Sequence, residues 1–424
     1  MGSSAGAATS SPWPHPSRLS RWHALWQRFW ALPVAIATAS LLLGLALPAL
    51  DAWADSTPGW VFQGGVDGAR SVLGTIAGAM ISVTGLVFSI TIVVLQLASS
   101  QFSPRILRSF LESRVVQLTL GFFTGSFVYA LTVLRAVRGG DDARVPQLAV
   151  TASYLYVVVA VAMFLAFIHH ITTSVQVSHV MGDVRRRTIA AARRLSPGEP
   201  EVATWSPRPG APRVELHHDD RCGYLTTIDG VRLGRLARAL GAVVELTVTP
   251  GDHLVPGGRI GRIWADEVPD DVHREVAATL GVAAERDVAA DPGFGVRQLL
   301  DIADRALSPG VNDPTTAVQA VNELHVVLLA VGRLRDPSPY LAVDGEVVAL
   351  HRPRKYAALL DGAVAELVHH GRDAPRVLGR LDAVLGELRG AVRPEHRAAT
   401  DAALARLRTA RRAGDGEGEG EPVR

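Results

Sequence analysis

Hydrophobic positions gather in four long runs before residue 170 and in short periodic stretches after it. The runs cover about residues 32–50, 72–98, 115–134 and 148–168. Each is near or above the ~20 apolar residues that cross a bilayer as a helix. Pro33 and Pro48 bracket the first run. Beyond residue 212 the pattern mixes two periods, of two residues for strands and near 3.6 for helices. The expected fold is a mainly α membrane protein, with four transmembrane helices followed by an α+β domain. That domain has a small β unit and C-terminal helices.

The second run carries an internal pattern. Thr75, Gly78, Ser82, Gly85, Ser89, Ile92, Gln96 and Ser99 follow one another at alternating steps of three and four, which keeps them on one helix face. All but Ile92 are small or polar. Two readings stay open for this seam. Small residues allow close helix packing in lipid, and Ser or Gln can bond across such a contact. Several copies could instead turn the same face inward and line a path for water. No charged residue lies in the seam, which argues against a proton relay there. Thr84 and Thr91, on the far side, are expected to bond back to their own helix.

Organisation follows from what separates the runs. Residues 1–30 read as a disordered start followed by an interfacial amphipathic helix, with Trp22, Trp26 and Trp30 at intervals of four and Arg18, Arg21 and Arg28 beside them. The transmembrane region covers 31–170. The connection Ser103 to Arg114 is expected to form a short surface helix, with Ser103 as its cap and Pro104 at its first position. Gly121 and Gly125 of the third run have G-x-x-x-G spacing. Residues 171–195 are expected to continue the fourth span as a connecting helix. A Pro-rich linker occupies 196–212, the α+β domain 213–412 and an acidic disordered tail 413–424. Arginines cluster on one side: Arg105, Arg108 and Arg114 in one connection, then Arg185, Arg186, Arg187, Arg193 and Arg194 after the fourth run. The other side has Arg70, Arg135, Arg138 and Arg144. This bias predicts both termini, and hence the α+β domain, in the cytoplasm.

Within that domain GYLTTID reads as a strand, GVRLGRLARALG as a helix, and VVELTVTPGDHLVPGGRIGRIW as strands with Gly-rich turns. A helix is expected from Asp270 to Leu280. In DPGFGVRQLLDIADRALSPGVNDPTTAV the pattern is helix, loop, helix. Asp313 caps the second helix and Pro314 takes its first position. The free N–H groups near Thr315 and Thr316 could hold an anion, but the Asp313 carboxylate beside them argues against one. LAVDGEVVAL reads as a hairpin, and three helices follow, at about 355–370, 374–389 and 394–412.

Composition narrows the chemistry. A net charge of +2 gives no reason to expect a nucleic-acid partner. The single cysteine, Cys222, excludes internal disulfides, and Lys355 is the only lysine, so no P-loop exists. His217, His218, Asp219 and Asp220 could meet a metal, but four neighbours in a row rarely form one coordination sphere. No protease or hydrolase motif occurs. No catalytic residue, cofactor or metal site is expected, and an enzyme is the least favoured class. The stretch GDHLVPGGRI resembles a hairpin of biotinyl- or lipoyl-type domains. The carrier lysine is absent, so covalent cofactor attachment is excluded.

Two longer stretches carry a broader resemblance. ISVTGLVFSITIVVLQLASSQFSPRIL and RQLLDIADRALSPGVNDPTTAV together resemble the bacterial predicted membrane proteins of domain-of-unknown-function family 2254. The resemblance covers most of the chain. It implies a four-span N-terminal region and a cytosolic C-terminal region, with no established activity or site residues. The expected setting is the bacterial inner membrane, with the lipid bilayer and further copies of the chain as partners. An unidentified cytosolic protein or small ligand is a further candidate partner. The leading expectation is an oligomeric channel or transport-like pore regulated by the cytosolic domain. The alternative is a non-conducting scaffold or sensor whose cytosolic domain binds a partner. The residues at issue are Thr75, Gly78, Ser82, Gly85, Ser89, Gln96 and Ser99 in the seam, with Asp313 and Pro314 as a structural cap.

Overall fold

Apolar runs with no water to satisfy their backbone must close their hydrogen bonds internally, and in this protein they do so as helices. The computed structural model describes residues 29–51, 61–101, 113–139, 144–174, 176–196, 205–206, 213–219, 221–343 and 346–417. The expected interfacial helix, the 103–114 surface helix and the 413–424 tail lie wholly or largely outside these residues, as does most of the 196–212 linker. The chain divides at Val180 into two compact units.

The first unit holds α1 (Ala31–Asp51), α2 (Val66–Gln101), α3 (Arg114–Ala136) and α4 (Gln147–Ser174). All four are long and apolar enough to cross a membrane. They pack round α3. In its apolar stretch 56% of residues are buried, against 17% in α1, 17% in α2 and 22% in α4. The sequence pattern makes α2 the conspicuous helix, but the packing makes α3 the hub. The reason is side-chain size. A Cβ on Gly121 would lie 2.6 Å from Ile36 Cδ1 and 3.2 Å from Pro33 Cα. One on Gly125 would lie 2.5 Å from Ser40 Oγ. On the facing helix, Gly44 packs against Thr132. Such small-residue contacts let helix backbones approach closely.

Polar groups fasten the same bundle. Ser40 Oγ lies 2.8 Å from Tyr156 Oη, and the Tyr129 and Tyr156 rings stack with centroids 4.9 Å apart. Tyr129 Oη donates to the Ala149 carbonyl at 2.8 Å. At the end of α1, Asp51 Oδ2 accepts from Leu148 N (2.9 Å) and Ala149 N (3.3 Å), the first amides of α4. A carboxylate there satisfies orphan donors and suits the positive end of the helix dipole. Ser113 Oγ and His170 Nε2 are 2.7 Å apart.

The helix expected to run on from the fourth span is interrupted. α4 ends at Ser174 and α5 covers Val177–Leu195. Thr172 and Thr173 hydroxyls donate to the carbonyls of Ile168, His169 and His170. Consecutive hydroxyls that compete for backbone carbonyls loosen a helix at such a point.

The second unit is α+β. Its five-stranded sheet has the order β1 (Arg213–His217), β5 (Arg259–Trp264), β3 (Val243–Leu246), β8 (Glu346–Leu350), β7 (Tyr340–Val343). Pairing is antiparallel except between β3 and β8. A second sheet has the order β4 (His253–Leu254), β2 (Gly223–Ile228), β6 (Leu280–Ala283). Leu225, Ile228, Leu246, Ile260 and Ile263 form their shared core, with α6 (Gly230–Ala239) and α7 (Val272–Ala277) against it. GDHLVPGGRI does not form a paired hairpin. β4 and β5 belong to different sheets, and a turn closed by Gly258 N to Val255 O (3.0 Å) carries the chain between them. Gly257 in that turn has φ +67°, a conformation glycine adopts without a steric penalty. The helix expected from Asp270 to Leu280 is shorter. Its last residue instead opens β6, which pairs with β2.

The remaining elements are helical: α8 (Pro292–Leu307), α9 (Pro314–Gly332), α10 (Tyr356–His370), α11 (Pro375–Ala391) and α12 (Pro394–Glu417). α9 is a fifth helix long and apolar enough to cross a membrane. It packs within this unit, burying Ala317, Ala320, Val321, Leu324, Val327 and Leu328, while Gln319 and Asn322 are exposed. That one-sided burial is the signature of an amphipathic core helix.

Candidate functional site

The α2 helix presents two unlike faces. Leu73, Ile76, Ala77, Met80, Val87 and Val94 are buried in the first unit. Thr75, Gly78, Ser82, Gly85, Ser89 and Gln96 are exposed, with Ile92 among them. Ser99 falls in the last turn of α2, where only the backbone is described. The six residues thus share the face turned away from the chain's own bundle. A Cβ on Gly78 or Gly85 would meet nothing within 4 Å. Large apolar side chains flank the stripe, with Leu86, Phe88 and Val93 each 45–53% exposed. Local bonds satisfy part of its polarity: Thr75 donates to Ser71 O (2.8 Å) and Ser82 to Gly78 O (2.9 Å). Thr84 and Thr91 make the same bond, to Met80 O and Val87 O, at 2.7 Å each.

The second motif forms a turn and a cap. The carbonyl of Ala306 accepts from Asp313 N at 2.7 Å. Asn312 takes φ +47°, a left-handed conformation that Asn tolerates better than most residues. Asp313 Oδ1 then accepts from Thr315 N and Thr316 N, both at 3.1 Å, and Oδ2 accepts from Thr316 Oγ1 at 2.6 Å. These bonds, the Thr316 hydroxyl first, hold the Asp313 carboxyl below the usual carboxylate range. Pro314 begins α9, where its missing N–H costs nothing.

The same motif supplies a charged cluster. Arg297 on α8 donates through Nε to Asp301 Oδ1 at 2.6 Å and through Nη1 to Glu366 on α10, and its Nη2 reaches Asp304 Oδ2 at 3.5 Å. Burial, followed by the hydrogen bond and charge of Glu366, pushes the Asp304 carboxyl up to about 8. Glu366 goes the other way: burial opposes its charge, but the bonds from Arg297 and Asp304 hold its carboxyl low. At pH 7 this is a shared-proton carboxyl pair clamped by one guanidinium. Asp304, Glu366 and His370 place one donor atom each within 4.8 Å of one another.

The model of the family described as "Predicted membrane protein (DUF2254)" matches residues 26–387. The chain belongs to this family. It is similar to uncharacterized proteins of Mycobacterium bovis and Mycobacterium tuberculosis, at 34% identity over 359 residues. That alignment covers 81% of this chain and 68% of each relative. No solved structure matches it.

This DUF2254 chain is therefore a membrane protein, and its polar clusters have to be judged as parts of one. The Asp304–Glu366–His370 group has donor atoms suited to a cation, and Arg297 already pairs with both of its carboxyl groups. Arg297 joins Asp301 and Asp304 of α8 to Glu366 of α10. His217 and His218 do not converge. His217 is exposed and its Nδ1 lies 3.0 Å from Gly257 O, whereas His218 is buried beside Asp219 at 3.3 Å. Asp219 is engaged by Arg221 at 2.7 Å, and Asp220 lies outside the described residues. The Arg297 cluster is what the sequence pattern missed. Its local half, Arg297, Asp301 and Asp304, stands on the polar side of α8, and only Glu366, 69 residues away, completes it.

Proposed function

We propose that this DUF2254 protein is an inner-membrane homo-oligomer whose α2 helices turn their seam faces toward a common axis. In that arrangement Ser82, Ser89 and Gln96 line a transport-like pore regulated by the cytosolic α+β unit. The observation that carries the proposal is the exposure of the stripe from Thr75 to Gln96 on the side of α2 turned away from its own bundle. From Thr75 to Gln96 the stripe is about 32 Å long at helical rise, close to the ~30 Å hydrocarbon thickness. A polar stripe of that length facing lipid tails would be unfavourable, and facing its own copies would not. Arginine placement supports both termini in the cytoplasm.

A second reading has a specific observation behind it. Thr75 and Ser82 already bond within their own helix, so the stripe can also serve as a dry, close-packed contact in a non-conducting scaffold or sensor. Cysteine scanning separates the two readings. In a Cys222→Ser background, single cysteines from Thr75 to Gln96 are probed with a membrane-impermeant thiol reagent. A pore labels Thr75, Gly78, Ser82, Gly85, Ser89 and Gln96 above their neighbours, and reconstituted protein passes ions or small solutes into liposomes. Labelling only at the helix ends, with no flux, would sink the pore and leave the scaffold.

A further inference from the structure

Helix α5 begins at Val177, three Cα steps after α4 ends at Ser174, a reach of at most about 11 Å. Arg185, Arg186, Arg187, Arg193 and Arg194 crowd its second half. One side of α5 is taken up inside the C-terminal unit, where Val180, Met181, Val184, Thr188, Ala191 and Ala192 are buried. The opposite side is basic. At about 100° per residue, Arg186, Arg187, Ala190, Arg193 and Arg194 share an arc of about 120°, and all of them are exposed.

The arc keeps most of its charge. Asp183, the only acidic residue of α5, takes Arg186 at 3.1 Å and Arg187 at 2.8 Å. Arg194 donates to the neutral Ala289 carbonyl at 3.3 Å. Arg185 lies off the arc and pairs with Glu323 at 2.7 Å. Exposed Glu285 and Asp287, just before Ala289, offset the Arg194 end, so the charge is strongest from Arg186 to Arg193. An anion that meets this arc must be plentiful where α4 leaves the bilayer. Lipid headgroups are, because the short link holds α5 beside them at a high effective concentration. The apolar side of α5 is already covered by protein, so it does not enter the acyl region as a free amphipathic helix would. Contact is left to charge alone, whose reach falls from about 10 Å at 0.1 M salt to about 3 Å at 1 M.

We propose that the Arg186–Arg194 face of α5 docks on anionic lipid headgroups at the membrane surface where α4 ends. Basic segments next to a membrane span recognise anionic lipid in this way. The docking stands independently of whether α2 lines a pore. The test uses the full chain in a Cys222→Ser background, with Ala190→Cys carrying a bimane in the middle of the arc. Nanodiscs of phosphatidylcholine, alone or with phosphatidylglycerol added, hold the same small share of lipid with a nitroxide on its headgroup as quencher. Quenching at least twofold stronger with phosphatidylglycerol is expected, and 1 M salt should return it to the phosphatidylcholine level. A bimane at Ala402→Cys, on an exposed position of α12, should show no such rise. The triple variant Arg186→Gln, Arg187→Gln, Arg193→Gln leaves the arc neutral and should quench equally in both discs. Circular dichroism checks its fold, and if it does not fold the salt series decides. Equal quenching of wild type in the two discs overturns the proposal, as does an equal rise at Ala402. A difference that survives 1 M salt, or persists in the folded triple variant, overturns it as well.

Discussion

Gly121→Val should loosen the first unit more than any glycine change on the outer face of α2. The magnitude follows from what a new side chain meets. At Gly121 even a Cβ would stand 2.6 Å from Ile36 Cδ1 and 3.2 Å from Pro33 Cα. The Ile36 methyl can swing aside, but the Pro33 backbone cannot move without α1. Two further methyls on valine would force the α1 and α3 axes apart. Overpacking of this kind costs about 1–3 kcal/mol, while the better helix propensity of valine returns a few tenths. The expected net loss is about 2 kcal/mol. Gly78→Ala supplies the contrast, because its Cβ meets nothing within 4 Å. There only propensity acts, and the helix gains about 0.5–1 kcal/mol. Unfolding in mixed micelles, at dilutions where the chain is monomeric, reads both by far-ultraviolet circular dichroism. A wild-type midpoint for Gly121→Val would falsify the close α1–α3 contact. A destabilised monomeric Gly78→Ala would refute the outward seam.

Two further predictions concern the α+β unit. Asp313→Ala removes a carboxylate that accepts two backbone N–H groups and a hydroxyl, so thermal unfolding of this unit should show a loss of about 1 kcal/mol. Unchanged stability would mean that the cap does not hold α9. Asp304 governs the second. Its folded carboxyl is pushed up to about 8, whereas an unfolded one loses its proton near 3.8. Between those values the native state binds more protons, so this group makes stability fall as pH rises from about 4 to 8. Asp304→Asn keeps a neutral, hydrogen-bonding group at the position. It should flatten the decline and unfold later than wild type at pH 8.5, and identical slopes would exclude the shared proton.

What could be read in the sequence was what local physics dictates. A bilayer demands long apolar runs, so helices stand at 31–51, 66–101, 114–136 and 147–174, close to where the hydropathy pattern puts them. The α+β character of the C-terminal part and the turn at Asp313 were legible for the same reason, since caps and periodicity act within a few residues. Pairings at a distance were not. Leu280–Ala283 offers four residues, and only β2, some 55 positions earlier, makes them a strand. The sheet change between β4 and β5 depends on which partners the rest of the chain supplies. The Arg297 cluster needs segments far apart in sequence. The seam was visible as a pattern, but which way it faces depends on α3, whose glycines draw α1 close.

The Asp51 contact ties together the ends of the bundle, and it has a consequence for biosynthesis. Asp51 is made 97 residues before Leu148, the first amide it holds. During synthesis α1 therefore waits without this contact while α2 and α3 are made. Closure between α1 and α4 through this contact can begin only when α4 emerges. A chain interrupted before residue 148 therefore ends with α1 lacking the contact that joins it to α4.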